Sequence, residues 1–438
     1  MQKEVSILLG SASTGRPLDL EALETAVRAR ALEVAGSVLE RALNAEPQEK
    51  DAVCPSCKGP ARYAGKPSKT FLSLLGNLTL IRSYFLCPAC GEGFFPKDRR
   101  LGVAETGLTP GVVRMIGLVG AETSFETGSE LLSELAGLPV SPKQVERAAE
   151  ALGAEIAEDE QACPDPDPVA HLPSTLYLGT DGTGIPMRMK ELADRPGKQA
   201  DGSSKTREVK LCVVWSAEST DDEGLPVRDK GSATYSAAIE SAASQDTDAK
   251  PSDFAVRLLR EASRRQFDAV SRQVVIGDGA SWIWNIANEH FPKAIQILDL
   301  FHAKEHLGTV GKAIFGPESE RTLPWIEERE AELDAGHIDA ILAALRIYAA
   351  RIVEAQHAIA YIEKNRHRMR YPEFRAQGLC VGSGVVEAGC KVAIGSRLKK
   401  AGMHWTTKGV NAIIALRCCR LSGRFEGFWE RRTQRRAA

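Results

Sequence analysis

The 438-residue chain changes its hydrophobic period several times. From Leu18 to Leu43 apolar residues recur at helical spacing, with no Gly or Pro until Gly36, which predicts an N-terminal helical arm within residues 1–50. Through "FLSLLGNLTLIRSYFL" the period falls to two, the pattern of half-buried strands, and Gly76-Asn77 is the expected hairpin turn. Helical spacing returns between Thr109 and Ile156. Thr109-Pro110 opens a first helix, "SFETGSELLSELAG" forms a second, and Ser141-Pro142 opens a third after the turn "LPVS".

An acidic, proline-rich linker at 161–174 separates this part from one of different character. "TLYLGTD", "REVKLCVVWSA" and "SATYSAAI" read as strands; "DRPGKQADGSSKT" between the first two reads as a mobile polar loop. A helix at "PSDFAVRLLREASRR" precedes two further strands, one ending at Asp278-Gly279 and one near Asp299. From His302 to Arg375 nearly every residue fits a helix. Three strands followed by alternating helix and strand predict a mixed α/β sheet, and the helical stretch lies between that sheet and the last segment.

Composition is that of an ordinary water-soluble chain, with 43% hydrophobic and 26% charged residues. No apolar run reaches the roughly 20 residues of a membrane span, and the N-terminus lacks the pattern of a signal peptide, so a cytoplasmic protein is expected. Net charge is −2, yet from Lys391 onward twelve Lys/Arg face two Glu. Such an end suits a polyanion or merely a solvated tail.

Ten cysteines are too few for a disulfide scaffold of this length. Four are paired by spacing: Cys54-Pro-Ser-Cys57 and Cys87-Pro-Ala-Cys90, with 29 residues between the knuckles. Each CxxC turn offers two thiolates at one vertex, and a hairpin between the knuckles would close a tetrahedral, structural Zn²⁺ site, a zinc ribbon at 51–100. In the helices at 101–160, a turn followed by a capped helix bearing Lys143, Gln144 and Arg147 has the outline of a DNA-binding helix-turn-helix, and equally that of a plain helical hairpin.

Three acids stand at element ends. Asp181 follows the first strand in "GTDGTG", Asp278 follows a later one, and Glu387 lies in the first turn of a helix in "GSGVVEAGCK". Singly, each reads as a turn or surface residue. Together they repel one another unless divalent cations intervene, and Mg²⁺ or Mn²⁺ prefers such oxygen ligands. His302 is placed to contact phosphate or to be a structural histidine. Lys391 lies one helical turn beyond Glu387, and Arg397, Lys399 and Lys400 continue that helix as DNA-backbone candidates or solvated surface.

The order of "GTDGTG", "VIGDGASWIW", "ILDLFHAKEHL", "GSGVVEAGCK" and "RLKKAGMHW" over residues 175–438 resembles the DDE transposases of bacterial insertion sequences. The resemblance implies an RNase H-like core at 175–302 and 379–438, interrupted by an all-α insertion at 303–378. Asp181, Asp278 and Glu387 would be its metal-binding triad, and Asp299-Leu-Phe-His302 resembles the D-x-x-H signature of Mutator-like relatives. It further implies two-metal cleavage of transposon ends and strand transfer into target DNA, with terminal repeats and target duplex as partners, a homo-oligomer and a nucleoid location. Two other functions remain compatible with these residues: an RNase H-like nuclease without strand transfer, and a zinc-ribbon DNA-binding regulator.

Overall fold

The computed structural model describes residues 19–437 except 48, 105, 164–165, 169–170, 194, 198 and 243–249. Residues 1–18 of the expected arm and parts of the acidic linker and polar loop therefore lie outside the described residues. The chain divides into two compact units, residues 1–152 with 426–438, and residues 153–425. The basic C-terminal helix thus groups with the first unit, not with the sheet that precedes it in sequence.

In the first unit, helix α1 (Leu20–Ala45) is followed by strands β1 (Ala52–Val53), β2 (Pro60–Gly65), β3 (Ser68–Ser73), β4 (Gly76–Ile81), β5 (Tyr84–Leu86) and β6 (Gly93–Phe94). The strands form two sheets, β1-β2-β5-β6 and a separate hairpin β3-β4. The expected turn at Gly76-Asn77 is displaced. Ser73 pairs with Gly76, so Leu74-Leu75 makes the turn and Asn77 lies in the strand. Gly76, at φ 97°, takes the left-handed backbone at the strand's start. Helix α1 covers the outer edge of β4 with side chains: Thr79 N–H donates to Glu40 Oε2 (2.7 Å) and Ile81 N–H to Asn44 Oδ1 (2.9 Å). Such cover keeps a strand edge from pairing with another chain.

Short α2 (Pro96–Leu101) leads to α3 (Pro110–Glu122), α4 (Phe125–Ala136) and α5 (Pro142–Ala162), the expected trio. Ser124 caps α4 by accepting the Thr127 N–H, and Gly137 at φ 68° ends it. Gly120 of α3 abuts Ala149 of α5 where a Cβ would come within 2.7 Å, so the close crossing requires glycine.

The second unit is built on a five-stranded mixed sheet. Its strands are β7 (Thr175–Pro186), β8 (Thr206–Trp215), β11 (Thr234–Ala238), β12 (Arg272–Gly277) and β13 (Ile295–Leu298), in the order β11-β8-β7-β12-β13. Between β8 and β11 a small ribbon pairs β9 (Ser219–Thr220) with β10 (Pro226–Val227). The first three strands of the sheet are antiparallel, and β12 and β13 run parallel to β7. Strand β7 does not end at Asp181 as its glycines predicted. Gly182 and Gly184 stay in the ladder opposite Lys210 and Glu208.

Helix α6 (Asp253–Arg264) covers one face, where Thr234 donates to Glu261, and Arg424 bridges Glu261 and Asp167. After β12 and β13 come α7 (Ser281–His290) and α8 (Leu300–Phe315), with α7 lying between the two strands in sequence. Then α9 (Thr322–Asp334), α10 (Ile338–Arg346), α11 (Val353–Asn365) and α12 (Tyr371–Ala376) complete the helical stretch expected at 303–378. The chain returns through α13 (Gly384–Gly389), a π-helical turn Cys390–Gly395, α14 (Ser396–Leu398), α15 (Thr407–Leu421) and α16 (Phe425–Ala437). Helix α15 seals the edge of β11, whose Tyr235 and Ile239 N–H groups donate to Ser422 Oγ (2.9 Å) and Asn411 Oδ1 (2.8 Å). Among the described residues no helix is long and apolar enough to cross a membrane.

Candidate functional sites: a four-cysteine centre and an acidic sheet edge

The two knuckles are built alike. Cys54 N–H donates to Gly59 O and Cys87 N–H to Glu92 O, while Cys54 O and Cys87 O accept from Lys58 and Gly91. Lys58 (φ 61°) and Gly91 (φ 74°) occupy the same left-handed position after each CxxC. Pairing of β2 with β5, not the β3-β4 hairpin, brings the knuckles together. Cys54 Sγ lies 3.5 Å from Cys90 Sγ and Cys57 Sγ 3.4 Å from Cys87 Sγ, with all four sulfurs within 4.8 Å of one another. Tetrahedral zinc at about 2.3 Å from each sulfur sets S···S distances near 3.8 Å, so the donor set fits that ion. Backbone N–H groups aimed at the sulfurs draw the Cys87 thiol down to about 7; at Cys90 the Glu92 N–H pulls the same way, but the neighbouring sulfurs and burial together outweigh it and push the thiol up to about 12.

In the second unit, β12 is paired with β7 through Ile276↔Gly179, so that Asp278 follows two residues on, level with Asp181. Parallel neighbours lie about 4.8 Å apart, so the two aspartates share one end of the sheet. Asp278 Oδ1 accepts the Ala280 N–H (2.9 Å), and Asp181 Oδ1 accepts its neighbour Gly182 N–H (2.6 Å). Burial pushes the Asp181 carboxyl above the usual range. The Gly182 N–H and Cys390 thiol oppose the rise, and the charge of Asp278 adds to it.

Helix α13 packs across the Asp181 face. A Cβ on Gly179 would come within 2.3 Å of Val386, and Cys390 Sγ donates to Asp181 Oδ2 at 3.4 Å. Glu387, one turn before Cys390, is exposed and bonds Lys391 Nζ at 2.6 Å. Among the described residues, the four cysteines are the only group of three or more His, Cys, Asp or Glu ligands within 4.8 Å of one another. Asp181, Asp278 and Glu387 are therefore not gathered to that distance.

The π-helical turn sets which residues face the sheet. Val386, Cys390, Ile394 and Leu398 are all buried at intervals of four. In an α-helix, at about 100° per residue, that stripe would drift by about 120°; the wider turn absorbs much of the drift. Buried Arg417 from α15 donates Nε to Ala393 O (2.9 Å) and Nη2 to Val392 O and Ser396 Oγ (3.0 Å), satisfying carbonyls in that turn. Beyond it, Lys399 reaches Thr183 Oγ1, two residues along β7 from Asp181.

Asp299 acts as a tie. Its Oδ1 accepts the His302 N–H (2.7 Å) at the start of α8, and its Oδ2 accepts the Ser383 N–H just before α13. His302 Nδ1 lies 3.3 Å from Glu305, and its ring stands 5.0 Å from that of His306. His306 in turn lies 4.1 Å from Tyr361, whose hydroxyl donates to Asp278 O at 2.8 Å.

The remaining sequence candidates sort differently. Arg397, expected on a DNA-facing surface, is fully buried with its guanidinium 5.2 Å from the Trp405 ring, so it serves packing. Gln144 closes a capping box with Ser141 (3.0 Å), Lys143 pairs with Glu146 (2.7 Å), and Arg147 and Lys400 are exposed. Sequence reasoning passed over Cys390, Tyr361 and Arg417. Only the four-residue apolar spacing from Val386 to Leu398 signalled the turn that Arg417 supports.

A family model described as "Uncharacterised protein family (UPF0236)" matches residues 246–434, which take in Asp278, His302 and Glu387 but not Asp181 or the four cysteines. Among solved structures, the chain is similar to the "Drosophila P element transposase strand transfer complex", with a TM-score of 0.26 and 10% identity, over 73% of this chain and 79% of that one. No curated protein matches.

Proposed function

We propose that the second unit is the catalytic core of a metal-dependent DNA transposase with an RNase H-like sheet, and that Asp181, Asp278 and Glu387 are its carboxylates. The observation that carries this reading is the placement of Asp181 and Asp278 on adjacent parallel strands, with the Glu387 helix packed on Asp181 through Cys390. The strand order, three antiparallel strands followed by two parallel to the first, supports it.

The donor chemistry fits Mg²⁺ or Mn²⁺. Two carboxylates share a sheet end, and burial and mutual charge disfavour ionisation of Asp181. Cations held there would lower the pKa of water and stabilise the departing 3′ oxygen. Asp181 and Asp278 would hold them, and Glu387 would join on leaving Lys391. Freed Lys391, with Lys399, would neutralise phosphate oxygens; His302 would donate a hydrogen bond to the phosphate. In cleavage a water oxygen bonds to phosphorus as the P–O3′ bond breaks. In joining, the liberated 3′-OH bonds to a target phosphorus as the target P–O3′ bond breaks. The four cysteines would hold structural Zn²⁺, and α3–α5 would engage terminal repeats as a helix-turn-helix, in a homo-oligomer on paired ends.

The test is incubation of the full chain, with Mg²⁺ or Mn²⁺, with a plasmid carrying the DNA that flanks its coding sequence. Metal-dependent 3′-OH ends and joined products are expected, and Asp181→Asn, Asp278→Asn and Glu387→Gln should each abolish both while duplex binding persists. Cleavage without joining would leave a nuclease. Binding without any cleavage would leave a zinc-ribbon regulator.

A further inference from the structure

We propose that the tip of the β7-β8 hairpin and the segment 399–408 together form a docking surface for duplex DNA flanking the reacting phosphate. The inference rests on the transposase reading of the Asp181 site and extends it to a surface the triad does not include.

The β7-β8 ladder runs on past Asp181 to Pro186↔Thr206, and beyond it Pro196 bridges Ser203. The hairpin is fixed to the other segment at its base. Trp405 N–H donates to Pro186 O (3.2 Å), Arg188 N–H to Trp405 O (2.9 Å), and Arg207 Nη1 to Thr407 Oγ1 (2.6 Å). From this base the hairpin carries Arg188, Lys190, Arg195, Lys205 and Arg207. The second segment adds Lys399, Lys400 and Lys408, all exposed.

Among the described residues two carboxylates fall in these segments against eight Lys/Arg, and they offset only part of that charge, Glu191 facing Arg207 and Arg188 and Asp201 facing Lys205. Glu191 accepts from Thr407 Oγ1 (2.6 Å), and Asp201 caps its own turn by accepting from Ser203 N–H (2.9 Å) and Oγ (2.6 Å). Burial and the neighbouring Arg195 charge hold the Arg207 guanidinium below its usual pKa, against the opposing charge of Glu191. By contrast, on the helical stretch exposed Arg366 is paired with Asp339 (2.7 Å) and exposed Arg370 with Glu373 (2.8 Å). A surface with this excess of cations over carboxylates matches a phosphate backbone. It begins at Lys399, beside Asp181, and Pro186 lies about 17 Å from Asp181 at about 3.3 Å per strand residue. At 3.4 Å per base pair that is about five base pairs from the reacting bond.

The experiment measures affinity of the full chain for a 30-bp DNA duplex of arbitrary sequence between 50 and 200 mM NaCl, by fluorescence anisotropy. The variant is Lys190→Gln/Arg195→Gln/Lys205→Gln/Lys408→Gln, with unchanged melting temperature as the folding control. The variant should bind at least tenfold more weakly at 100 mM salt, with a log–log salt slope shallower by up to about 3.6, or about 0.9 per lost phosphate contact. Unchanged affinity and slope, with wild-type binding intact, would overturn the docking surface and leave the transposase reading standing. Absence of duplex binding by the wild type at 50 mM salt would overturn both. Tighter binding of an RNA duplex of equal length, lost in the variant, would overturn the choice of DNA.

Discussion

The four-cysteine centre and the acidic sheet end solve the same problem, the gathering of like-charged ligands, to different degrees. In the first, the sulfurs already stand 3.4–3.5 Å apart in pairs, and matched backbone turns hold each knuckle. In the second, Asp181 and Asp278 are side by side, but Glu387 is turned to Lys391 and the Asp181 carboxyl sits above its usual range, chiefly through burial. A centre whose ligands are complete without substrate is built for stability. On the proposed reading, the acidic site, left incomplete with lysines at its rim, would be completed by its reaction partners.

The largest effect expected to sharpen this contrast is at the cysteines. Cys57→Ser should abolish zinc binding and unfold the ribbon, since structural zinc in small modules contributes about 10–16 kcal/mol of apparent binding energy. Hydrogen exchange should show protection lost at the amides of residues 54–59 and 87–92, with β7 and β8 unaffected. Loss of protection in both units alike would break the division.

Next is Asp181→Asn, which should lower cleavage by about a thousandfold or more, about 4 kcal/mol of barrier, without unfolding the sheet. A variant that is inactive only because it has unfolded, seen by circular dichroism, would contradict a functional role.

Arg417→Met should destabilise the second unit by about 2–4 kcal/mol, because it orphans the Val392 and Ala393 carbonyls in a buried setting. Arg417→Lys should recover part of this. Denaturant melts of both variants measure the difference.

The smallest effect concerns Asp229, a carboxylate in the same unit whose partners are complete. Burial raises its pKa, but hydrogen bonds from Ser216 Oγ, Ser219 Oγ and the Glu218 and Ser219 N–H groups outweigh that and draw it to about 2. A depressed carboxylate contributes stability above its unfolded pKa of about 3.9, and the contribution is lost as pH falls through about 2. Asp229→Asn should therefore cost about 1 kcal/mol at pH 7, after discounting for solvent screening, and only a small fraction of that near pH 2. Melts at the two pH values decide it.

Where one residue's chemistry fixes a local geometry, the sequence was legible. The knuckles, the helix start at Thr109-Pro110 and the strand-helix order follow from turn chemistry and proline's fixed backbone, and all are present, although Thr109 makes no side-chain cap bond. Long-range packing defeated local rules elsewhere. Gly182 reads as a turn former, yet it lies inside a ladder opposite Lys210. Arg397 reads as surface, yet Trp405, eight residues on, draws it inward. Of the two expected strand-end acids, Asp278 does follow β12 but Asp181 stands inside β7, and the Cys390 contact, the Tyr361 hydroxyl on Asp278 and the Arg417 support join residues 24 to 209 positions apart. No short-range pattern encodes such contacts.

The most direct test of the central claim is anomalous diffraction from crystals of the full chain with Mn²⁺ and a DNA duplex. Manganese bound by Asp181 and Asp278, with Glu387 swung from Lys391 toward the ion, is the expected result. A DNA-bound structure in which manganese is absent from these carboxylates, and Glu387 still holds Lys391, would contradict it.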